Sequence, residues 1–403
     1  MISRREWLAG SSVLLAARLA GPLLSRPAKA DGAEASLPAL ATAVPDFSPR
    51  HITARMVSLR PYRPEGFRVE LETIADRSIV HNIGHGGAGI TLSWGTAQMA
   101  VDRLLALRQP GPVAVLGCGA VGLATAWLLH EAGRAVTVYA SEVHPRVTSS
   151  VAGASFFPSL VVAAASRAPE FEERLAAAVR TSHRRFLGML GRGMGVVRRP
   201  HVVLAAQRPL AGWVSRLLPE IFPPPLEIRD PSLPFAAQWV GVEERLFIET
   251  QQYLPALMGA VRKAGMAIQR RTFRDAAALG RLRERLIVNC TGIGSVGLFG
   301  HADLIPVQGQ LTRLQADSRL NYTLSAPGLY LHPRRDGLLL GGTQDVGVLT
   351  PRFDQAAEER ILAGMRQLYR PAGADRTAEQ ANGLIWKKKR TASGWQRSSS
   401  SKG

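Results

Sequence analysis

The most regular part of the hydrophobic pattern lies over residues 113–140, where it predicts a strand, a tight turn, a helix and a second strand. Val113–Leu116 is apolar at every position, as in a strand that is buried on both faces. The helix is expected to run from Leu123 to Ala132, before a C-capping Gly133, and Ala135–Tyr139 is the second strand. This order is typical of a parallel β-sheet with crossover helices.

Further elements are predicted ahead of this unit. The runs Ala54–Leu59 and Phe67–Leu71 alternate between apolar and polar positions, which indicates strands on either side of a proline-rich turn. Ser78–Asn82 has the pattern of a strand end. Apolar residues with helical spacing predict a helix from Thr91 to Leu107, and Gln109–Pro112 ends it.

The rest of the chain mixes helices with strands. Residues 160–250 combine an amphipathic helix, Glu170–Leu190, with proline-rich loops. The elements predicted after them are a helix over 251–265, a strand at Leu286–Asn289, alternating strands over 305–345 and a last helix at Glu358–Tyr369. Beyond Ala381 the Ser/Lys-rich sequence predicts disorder.

The charge of the chain raises the question of nucleic-acid binding. The formal net charge is +19 over 403 residues, but much of the excess lies in the first thirty residues and after Trp386. We find no basic stripe with interleaved aromatic residues, which is the pattern of single-strand binders. Nucleic acid is therefore not predicted as a partner, and the moderately basic body is expected to attract anionic substrates or cofactors.

The N-terminal segment predicts export. Arg4-Arg5 opens a segment with an apolar centre, Val13–Leu24, and a small-residue end, Ala28-Lys29-Ala30, which resembles a twin-arginine signal peptide. Arg18 interrupts the apolar run, which is too short for a stable membrane span. We therefore predict a protein exported in folded form by the twin-arginine machinery to the periplasm or the medium. An ordinary secretory signal is the alternative.

A GxGxxG pattern stands in the context that dinucleotide binding requires, after a strand and at the start of a helix. Glycines there permit a tight turn, close approach of the backbone to a pyrophosphate and close packing of helix on strand. The helix N-terminus faces the anion. The residues predicted to bind the cofactor in this turn are Gly117, Gly119, Ala120, Val121 and Gly122. After the second strand, either Ser141 or Glu142 is expected to hold the ribose.

Three other segments favour FAD over NAD. Small and hydroxyl-bearing residues after the second strand would let a flavin pass the backbone, and Val288–Gly292 predicts a late strand that ends in a small-residue loop. The glycine-rich segment His81–Thr91 predicts backbone packed against a flat ligand, with the N-terminus of the following helix aimed at the flavin. The FAD-binding residues predicted in these segments, together with Thr272, are Thr148, Ser149, Gly153, Ala154, Thr291, Gly86, Gly87, Ala88, Gly89, Ile90 and Thr91.

Two cysteines, Cys118 and Cys290, are too few for a disulfide scaffold. Each lies in a loop that we expect to face the cofactor. Free, buried thiols are therefore predicted.

Several of these blocks resemble the D-amino-acid oxidase family. The segment His81–Gly95 is similar to the C-terminal signature of that family. The other similar blocks are the GxGxxG turn, Val138–Ala140, Val288–Gly292, Gly309-Gln310, Leu340–Gly342 and Arg60–Pro64. In the family the arginine block and the HxxGHGGxG block come last, whereas here they precede the nucleotide-binding strand. We interpret the chain as a circular permutation of the family, with its new ends between Tyr369 and Ala54; a misassembled gene is the alternative.

The resemblance implies two catalytic residues. Arg60 matches the arginine that pairs with the substrate carboxylate through two parallel donors, and Tyr330 matches a tyrosine that hydrogen-bonds the same carboxylate. The second tyrosine of the family is Ala326 here, with Tyr322 as a candidate substitute, and its polar residue before a proline is Phe157. A surface arginine and a core aromatic are the structural alternatives for the two catalytic residues.

The reaction that the resemblance implies is oxidative deamination of a D-amino acid. Hydride leaves the α-carbon for the flavin, water converts the imino acid to an α-keto acid and ammonia, and oxygen reoxidises the flavin to give hydrogen peroxide. No metal is predicted. The alternatives are a glycine- or secondary-amine-type flavin oxidase or dehydrogenase and a catalytically silent flavoprotein. The oligomeric state stays open, with a homodimer as one candidate.

The predicted fold is α/β: a Rossmann-type FAD-binding domain with a parallel sheet, and a substrate domain with a mixed or antiparallel sheet. The predicted divisions are a signal peptide (1–30), a linker (31–50), a permuted segment of the substrate domain (51–76), the first part of the FAD-binding domain (77–160), the substrate domain (161–250), the second part of the FAD-binding domain (251–304), the substrate domain again (305–380) and a tail (381–403).

Overall fold

Two β-sheets organise the chain in the computed structural model, which describes residues 40–370. The strands are β1 (Ile52–Tyr62), β2 (Arg68–Ile74), β3 (Arg77–Ile83), β4 (Val113–Leu116), β5 (Val136–Ala140), β6 (Val196–Ala205), β7 (Leu226–Glu227), β8 (Trp239–Ile248), β9 (Ala267–Arg270), β10 (Leu286–Asn289), β11 (Ile305–Leu314), β12 (Thr323–Ala326), β13 (Leu329–Arg334), β14 (Gly337–Gly341) and β15 (Asp345–Val346). The α-helices are α1 (Gly89–Leu105), α2 (Ala120–Glu131), α3 (Thr148–Val151), α4 (Pro169–Leu187), α5 (Trp213–Leu217), α6 (Thr250–Lys263), α7 (Ser295–Phe299) and α8 (Gln355–Leu368).

The predicted signal peptide and the predicted C-terminal tail lie outside the described residues. Within residues 40–370, none of the helices combines the length and the apolar character needed to cross a membrane.

The smaller sheet has the strand order β2-β3-β10-β4-β5-β9. The last five strands run parallel, and β2 pairs antiparallel with β3 at the edge. Val113–Leu116 is buried at every position, and α2 and β5 follow it. The structure therefore confirms the predicted strand, turn, helix and strand of a parallel nucleotide-binding sheet.

The larger sheet has the order β1-β11-β14-β13-β12-β6-β8-β7, and β15 adds to β11. It is mixed, because β12 pairs parallel with β6 while the other neighbours are antiparallel. The prediction of helices and loops over 160–250 missed β6 and β8, which pair along their whole length. The polar run Arg198–His201 interrupts the apolar alternation of β6, so the strand has no clear period in the sequence.

The chain passes from the larger sheet to the smaller sheet between Tyr62 and Arg68. The predicted division had placed this boundary at residue 76. Strand β2 pairs with β3 from Arg68 to Ile74, so it belongs to the parallel sheet and not to the substrate sheet. Helix α4, which the predicted divisions give to the substrate domain, packs on α1 of the nucleotide-binding layer. The backbone N–H of Gly95 donates to Ser182 Oγ at 2.8 Å, and a Cβ at Gly95 would collide with the backbone of Ala178.

Candidate active site

A cavity of about 740 Å³ lies between the carboxyl ends of the parallel strands and one face of the large sheet. The predicted site residues that line it are Arg60, Tyr330, Gly117, Gly119, Ala120, Val121, Ser141, Glu142, Thr148, Ser149, Gly153, Ala154, Thr272, Thr291, Gly86, Gly87, Gly89, Ile90 and Thr91. Two predicted residues, Gly122 and Ala88, do not line it. The carboxyl ends of parallel strands are where α/β sheets bind ligands.

Two glycines of the turn, Gly117 and Gly122, pack tightly against neighbouring backbone atoms. Gly117 has φ +105°, and a Cβ there would overlap the carbonyl group of Cys290. Gly122 packs behind the turn, where a Cβ would overlap the carbonyl oxygen of Gly117. This contact explains why Gly122 does not reach the cavity although the pattern requires it.

Ser149 satisfies a backbone donor at the start of α2, since its Oγ accepts the N–H of Ala120 at 3.1 Å. The helix N-terminus and the turn therefore form a surface that suits a pyrophosphate.

The glycines ahead of α1 also have a structural reason. Gly86 has φ +55°, and a Cβ there would overlap the carbonyl group of Leu160. A Cβ at Gly87 would lie 2.9 Å from the carbonyl oxygen of Ser159. The segment thus packs against the protein on one side while its other side lines the cavity, and Ala88 is buried between them.

Asn82 is a cavity residue that was not predicted. Its side chain is 1% exposed, and neither Nδ2 nor Oδ1 has a hydrogen-bond partner within the described part of the chain. A buried amide without partners is costly, so a ligand with donors and acceptors is expected to satisfy it. FAD offers both, and the glycine turn offers the surface for its pyrophosphate.

Both residues that were predicted as candidates to hold the ribose, Ser141 and Glu142, remain candidates. Ser141 and Glu142 line the cavity just beyond β5. Glu142 is held by Arg146 at 2.9 Å and by Arg270 at 3.2 Å. Arg270 also donates to the carbonyl oxygen of Ser141 at 3.1 Å, which fixes this turn.

Arg60 and Tyr330 meet across the large sheet. A Cβ at Gly309 would overlap the guanidinium group of Arg60, and a Cβ at Gly341 would overlap the phenol oxygen of Tyr330. Both long side chains therefore lie flat over glycines. Burial raises the pKa of Tyr330, while the nearby charge of Arg60 and its hydrogen bond lower it.

Arg60 has no carboxylate partner among the residues that the structure describes. Its Nη1 donates to the carbonyl oxygens of Thr343 at 3.3 Å and Gln308 at 3.4 Å, and the guanidinium group also hydrogen-bonds Tyr330. Arg63, by contrast, forms an ion pair with Asp303. A partly buried cation without an anion is the feature that a ligand carboxylate would complete.

Tyr322 does not replace the missing second tyrosine. Its hydroxyl lies 3.1 Å from that of Tyr369, in an apolar cluster that includes Phe235. Because side chains alternate along a strand, Thr323 and Ser325 face the cavity side, while Tyr322 lies on the other face of the sheet.

Other polar cavity residues were not predicted either, among them His201, Arg245 and His332. His201 lies 2.8 Å from Thr323 Oγ1 and 2.9 Å from Ser325 Oγ, and burial holds its pKa well below the usual range. Burial, reinforced by nearby arginines, lowers the pKa of His332 to about 3. Arg245 pairs with Glu243, and its guanidinium lies 4.7 Å from the centre of the Phe157 ring. Recognising β6 and β8 as strands would have placed two of these residues on the cavity face.

The prediction of free thiols is confirmed, since both cysteines are buried and unbonded. Burial raises the pKa of Cys118 to about 11 and that of Cys290 to about 12. Neither thiol is suited to act as a nucleophile at neutral pH.

Glu72, His81 and His301 are close enough for their ligand atoms to surround a metal ion. The geometry disfavours one, because Asn289 Nδ2 lies 3.0 Å from His81 Nδ1 and Arg68 Nη1 lies 3.1 Å from His301 Nδ1. The ring nitrogens thus serve a hydrogen-bond network that includes the guanidinium group of Arg68.

Comparisons with known proteins show which proteins this chain is similar to. Residues 112–387 match the family model described as FAD dependent oxidoreductase, DAO. The chain is 32% identical over 253 residues to a D-amino-acid oxidase of Streptomyces coelicolor, covering 59% of this chain and 71% of the relative. It is 29% identical over 280 residues to a D-amino-acid oxidase of Rubrobacter xylanophilus, covering 67% of this chain and 81% of the relative. Among solved structures, iminodiacetate oxidase from Chelativorans sp. BNC1 is similar with a TM-score of 0.49 and 16% identity, covering 64% of this chain and 78% of that one.

Proposed function

The chain belongs to the DAO family of FAD-dependent oxidoreductases, and we propose that it oxidises D-amino acids to α-keto acids, ammonia and hydrogen peroxide. The observation that carries the proposal is Arg60, a cavity-lining cation without a carboxylate partner among the described residues, whose side chain meets Tyr330. A substrate carboxylate would supply the missing anion. Bound FAD would accept hydride from the substrate and deliver the electrons to oxygen.

The residues around the cavity orient the substrate. Arg60 would hold the α-carboxylate through two parallel N–H donors. Tyr330 would donate its hydroxyl proton to the same carboxylate, and its raised pKa keeps that proton in place at neutral pH. The low pKa values of His201 and His332 make both imidazoles weak bases. We therefore expect the substrate amine to bind in its neutral form, with catalysis through positioning.

Anaerobic reduction of the flavin tests the reaction. D-amino acids should bleach the flavin absorbance of the purified protein, and readmitted oxygen should restore it with release of hydrogen peroxide. L-amino acids are the control. Bleaching by glycine or sarcosine alone would favour the glycine- or secondary-amine-type oxidase. A flavin that is reduced by dithionite but by none of these amines would favour a silent flavoprotein.

The proposal includes a circular permutation. Residues 52–105 supply β1, β2, β3 and α1, and the family match begins only at residue 112. The proposed junction is compact: the rings of Phe47 and Tyr369 lie 5.4 Å apart, and Arg366 Nη2 donates to the carbonyl oxygen of Phe47 at 3.2 Å. Ends that lie close together are what permutation requires.

A rearranged gene tests the permutation. Residues 52–111 would be moved to follow residue 370 through a short flexible linker. We expect this chain to bind FAD and to unfold as cooperatively as the parent. Recovery of only aggregated, colourless protein, beside a soluble parent, would count against the permutation.

Export through the twin-arginine pathway is also proposed, on the basis of Arg4-Arg5 and Ala28-Lys29-Ala30. Replacing both arginines with lysine should leave unprocessed precursor in the cytoplasm. Undisturbed processing would support an ordinary secretory route instead.

A further inference from the structure

The wall of the cavity includes a segment, residues 150–155, with a strained backbone. Ala154 has φ +57°, in the left-handed region that costs an alanine roughly 1–2 kcal/mol. Gly153 and Ala154 line the cavity, and both were predicted to bind FAD. A strained backbone keeps its conformation only where the surrounding structure holds it in place. The contacts that hold the 150–155 segment therefore affect how the cofactor is bound.

Alternate residues of β13 contact this segment. Tyr330, His332 and Arg334 lie on the same face of the strand, because they are two residues apart. A Cβ at Gly153 would lie 3.5 Å from Tyr330 Cε2 and 3.1 Å from His332 Cδ2. Arg334 Nη1 donates to the carbonyl oxygen of Ala152 at 3.4 Å. The strand that carries Tyr330, proposed above to bind the substrate, thus also supports the segment predicted to bind FAD.

The guanidinium group of Arg334 is itself held on every side. Its side chain is 1% exposed, and its Nε and Nη2 donate to the two carboxylate oxygens of Asp336 at 2.8 and 2.7 Å. Its Nη1 donates to Thr250 Oγ1 at 3.1 Å, and Thr250 Oγ1 donates to the carbonyl oxygen of Ser150 at 3.3 Å. Because a planar group paired in this way has little freedom to move, it fixes the carbonyl group of Ala152.

Resting on the proposed function, we propose that Arg334 is a positioning residue for hydride transfer. It holds the 150–155 segment at a fixed place relative to Tyr330, and so sets the separation between the flavin and the α-carbon of a substrate whose carboxylate Tyr330 binds. Arg334 does not line the cavity, so it acts through the segment and not on the substrate. Reacting atoms have to lie about 3–3.5 Å apart, and a displacement of about 1 Å can cost on the order of a hundredfold in rate.

Arg313 provides a matched control. Its Nη1 also donates to Asp336, at 2.7 Å, but its Nε donates to Thr53 Oγ1 at 3.2 Å, and it does not line the cavity. Arg334→Met and Arg313→Met each remove one arginine from Asp336 and leave the other, so neither variant leaves this carboxylate unpaired. The two variants differ in whether the 150–155 segment loses a donor.

Anaerobic reduction of the flavin by a D-amino acid, followed by stopped-flow absorbance, tests the inference. We expect Arg334→Met to slow flavin reduction at saturating substrate by roughly tenfold or more. The Kd for benzoate should stay close to the parental value, because Arg60 and Tyr330 keep their places. Arg313→Met should match the parent in both measurements. Arg334→Lys keeps the charge beside Asp336 but not the planar fork, so its rate should lie between those of the parent and Arg334→Met.

Two kinetic results would overturn the inference. One is flavin reduction at the parental rate in Arg334→Met. The other is a loss of benzoate binding as large as the loss of rate, because Arg334 would then act on the substrate-binding residues and not on the 150–155 segment. Both results leave the proposed reaction standing.

Hydrogen exchange of the holoprotein tests the same contact without turnover. The amides of residues 150–155, followed by mass spectrometry, should exchange faster in Arg334→Met than in the parent and unchanged in Arg313→Met. Equal exchange in the two variants would overturn the inference. If no D-amino acid reduces the flavin of the parent, the proposed reaction fails, and faster exchange confined to Arg334→Met would still support the role of Arg334 in holding the segment. If Arg334→Met does not fold, Arg334→Lys replaces it in both experiments.

Discussion

The hydroxyl group of Tyr330 meets the guanidinium group of Arg60 above two glycines, Gly309 and Gly341, which belong to the strands between them. Three strand spacings, roughly 14 Å, separate the backbones of β1 and β13. Two side chains can bridge that span only by lying flat on the sheet. The missing Cβ atoms are thus as important to the pair as the groups that touch.

Gly309→Ala and Gly341→Ala should therefore damage activity more than stability. The new methyl group would push Arg60 or Tyr330 away from the substrate carboxylate, and a displacement of about 1 Å can cost on the order of a hundredfold in rate. We expect kcat/KM to fall by roughly ten- to a hundredfold while FAD stays bound. Gly259→Ala, on a helix with open space around the site, is the control and should change neither. Full activity in both strand variants would contradict the flat arrangement.

Arg60→Ala should keep the fold and the FAD but lose a desolvated, charge-assisted contact worth roughly 3–5 kcal/mol. The expected loss in kcat/KM is about a hundred- to several-thousandfold. Arg63→Ala should matter far less, because Arg63 is engaged by Asp303. Benzoate should perturb the flavin spectrum of the parent and of Arg63→Ala only. If Arg63 alone proves essential, the assignment of this motif is wrong.

The buried His85 should make the protein sensitive to acid. Burial lowers its pKa from 6.5 to about 4, so the unfolded state takes up a proton first as the pH falls below about 6.5. Stability is then lost on acidification, by about 2 kcal/mol at pH 5 from this one group. His85→Gln should show a smaller drop in the free energy of unfolding between pH 7 and pH 5, measured by urea titration. An unchanged drop would assign the acid sensitivity to other groups.

A comparison of Gly117→Ala, in the cofactor turn, with Gly133→Ala distinguishes the effect of backbone strain from that of a steric collision. Both glycines have positive φ, +105° and +76°, so alanine should cost roughly 1–2 kcal/mol at each. Only at Gly117 would the new Cβ also meet the carbonyl group of Cys290. We expect Gly117→Ala to be purified without FAD and Gly133→Ala to be yellow and slightly less stable. Equal FAD content in the two proteins would argue against the role of this turn.

The sequence allowed the nucleotide-binding sheet to be predicted because Val113–Leu116 and the following turn carry local signals. Strands β6 and β8 were missed because charged residues, such as the ion-paired Arg198 and Glu244, interrupt their apolar alternation. Of their polar residues, His201 and Arg245 face a cavity that only the tertiary structure creates. The same cause hid Arg245 and His332: a polar residue in a strand appears solvent-facing until the neighbouring layer is known. Tyr322 was placed wrongly because strand alternation, and not distance along the chain, decides which face a side chain occupies.

Strand β10 is inserted between β3 and β4, which are close in sequence. During synthesis, β3, α1 and β4 are therefore complete at Leu116, whereas β10, the strand that separates β3 from β4, begins only at Leu286. Until Leu286–Asn289 emerges, the nascent chain has to keep two hydrogen-bonding edges apart and unpaired. Direct pairing of β3 with β4 would bury the same apolar residues and leave no space for β10. A nascent chain stalled before residue 286 would thus expose strand edges with unpaired backbone groups. Such edges bind chaperones and can start aggregation.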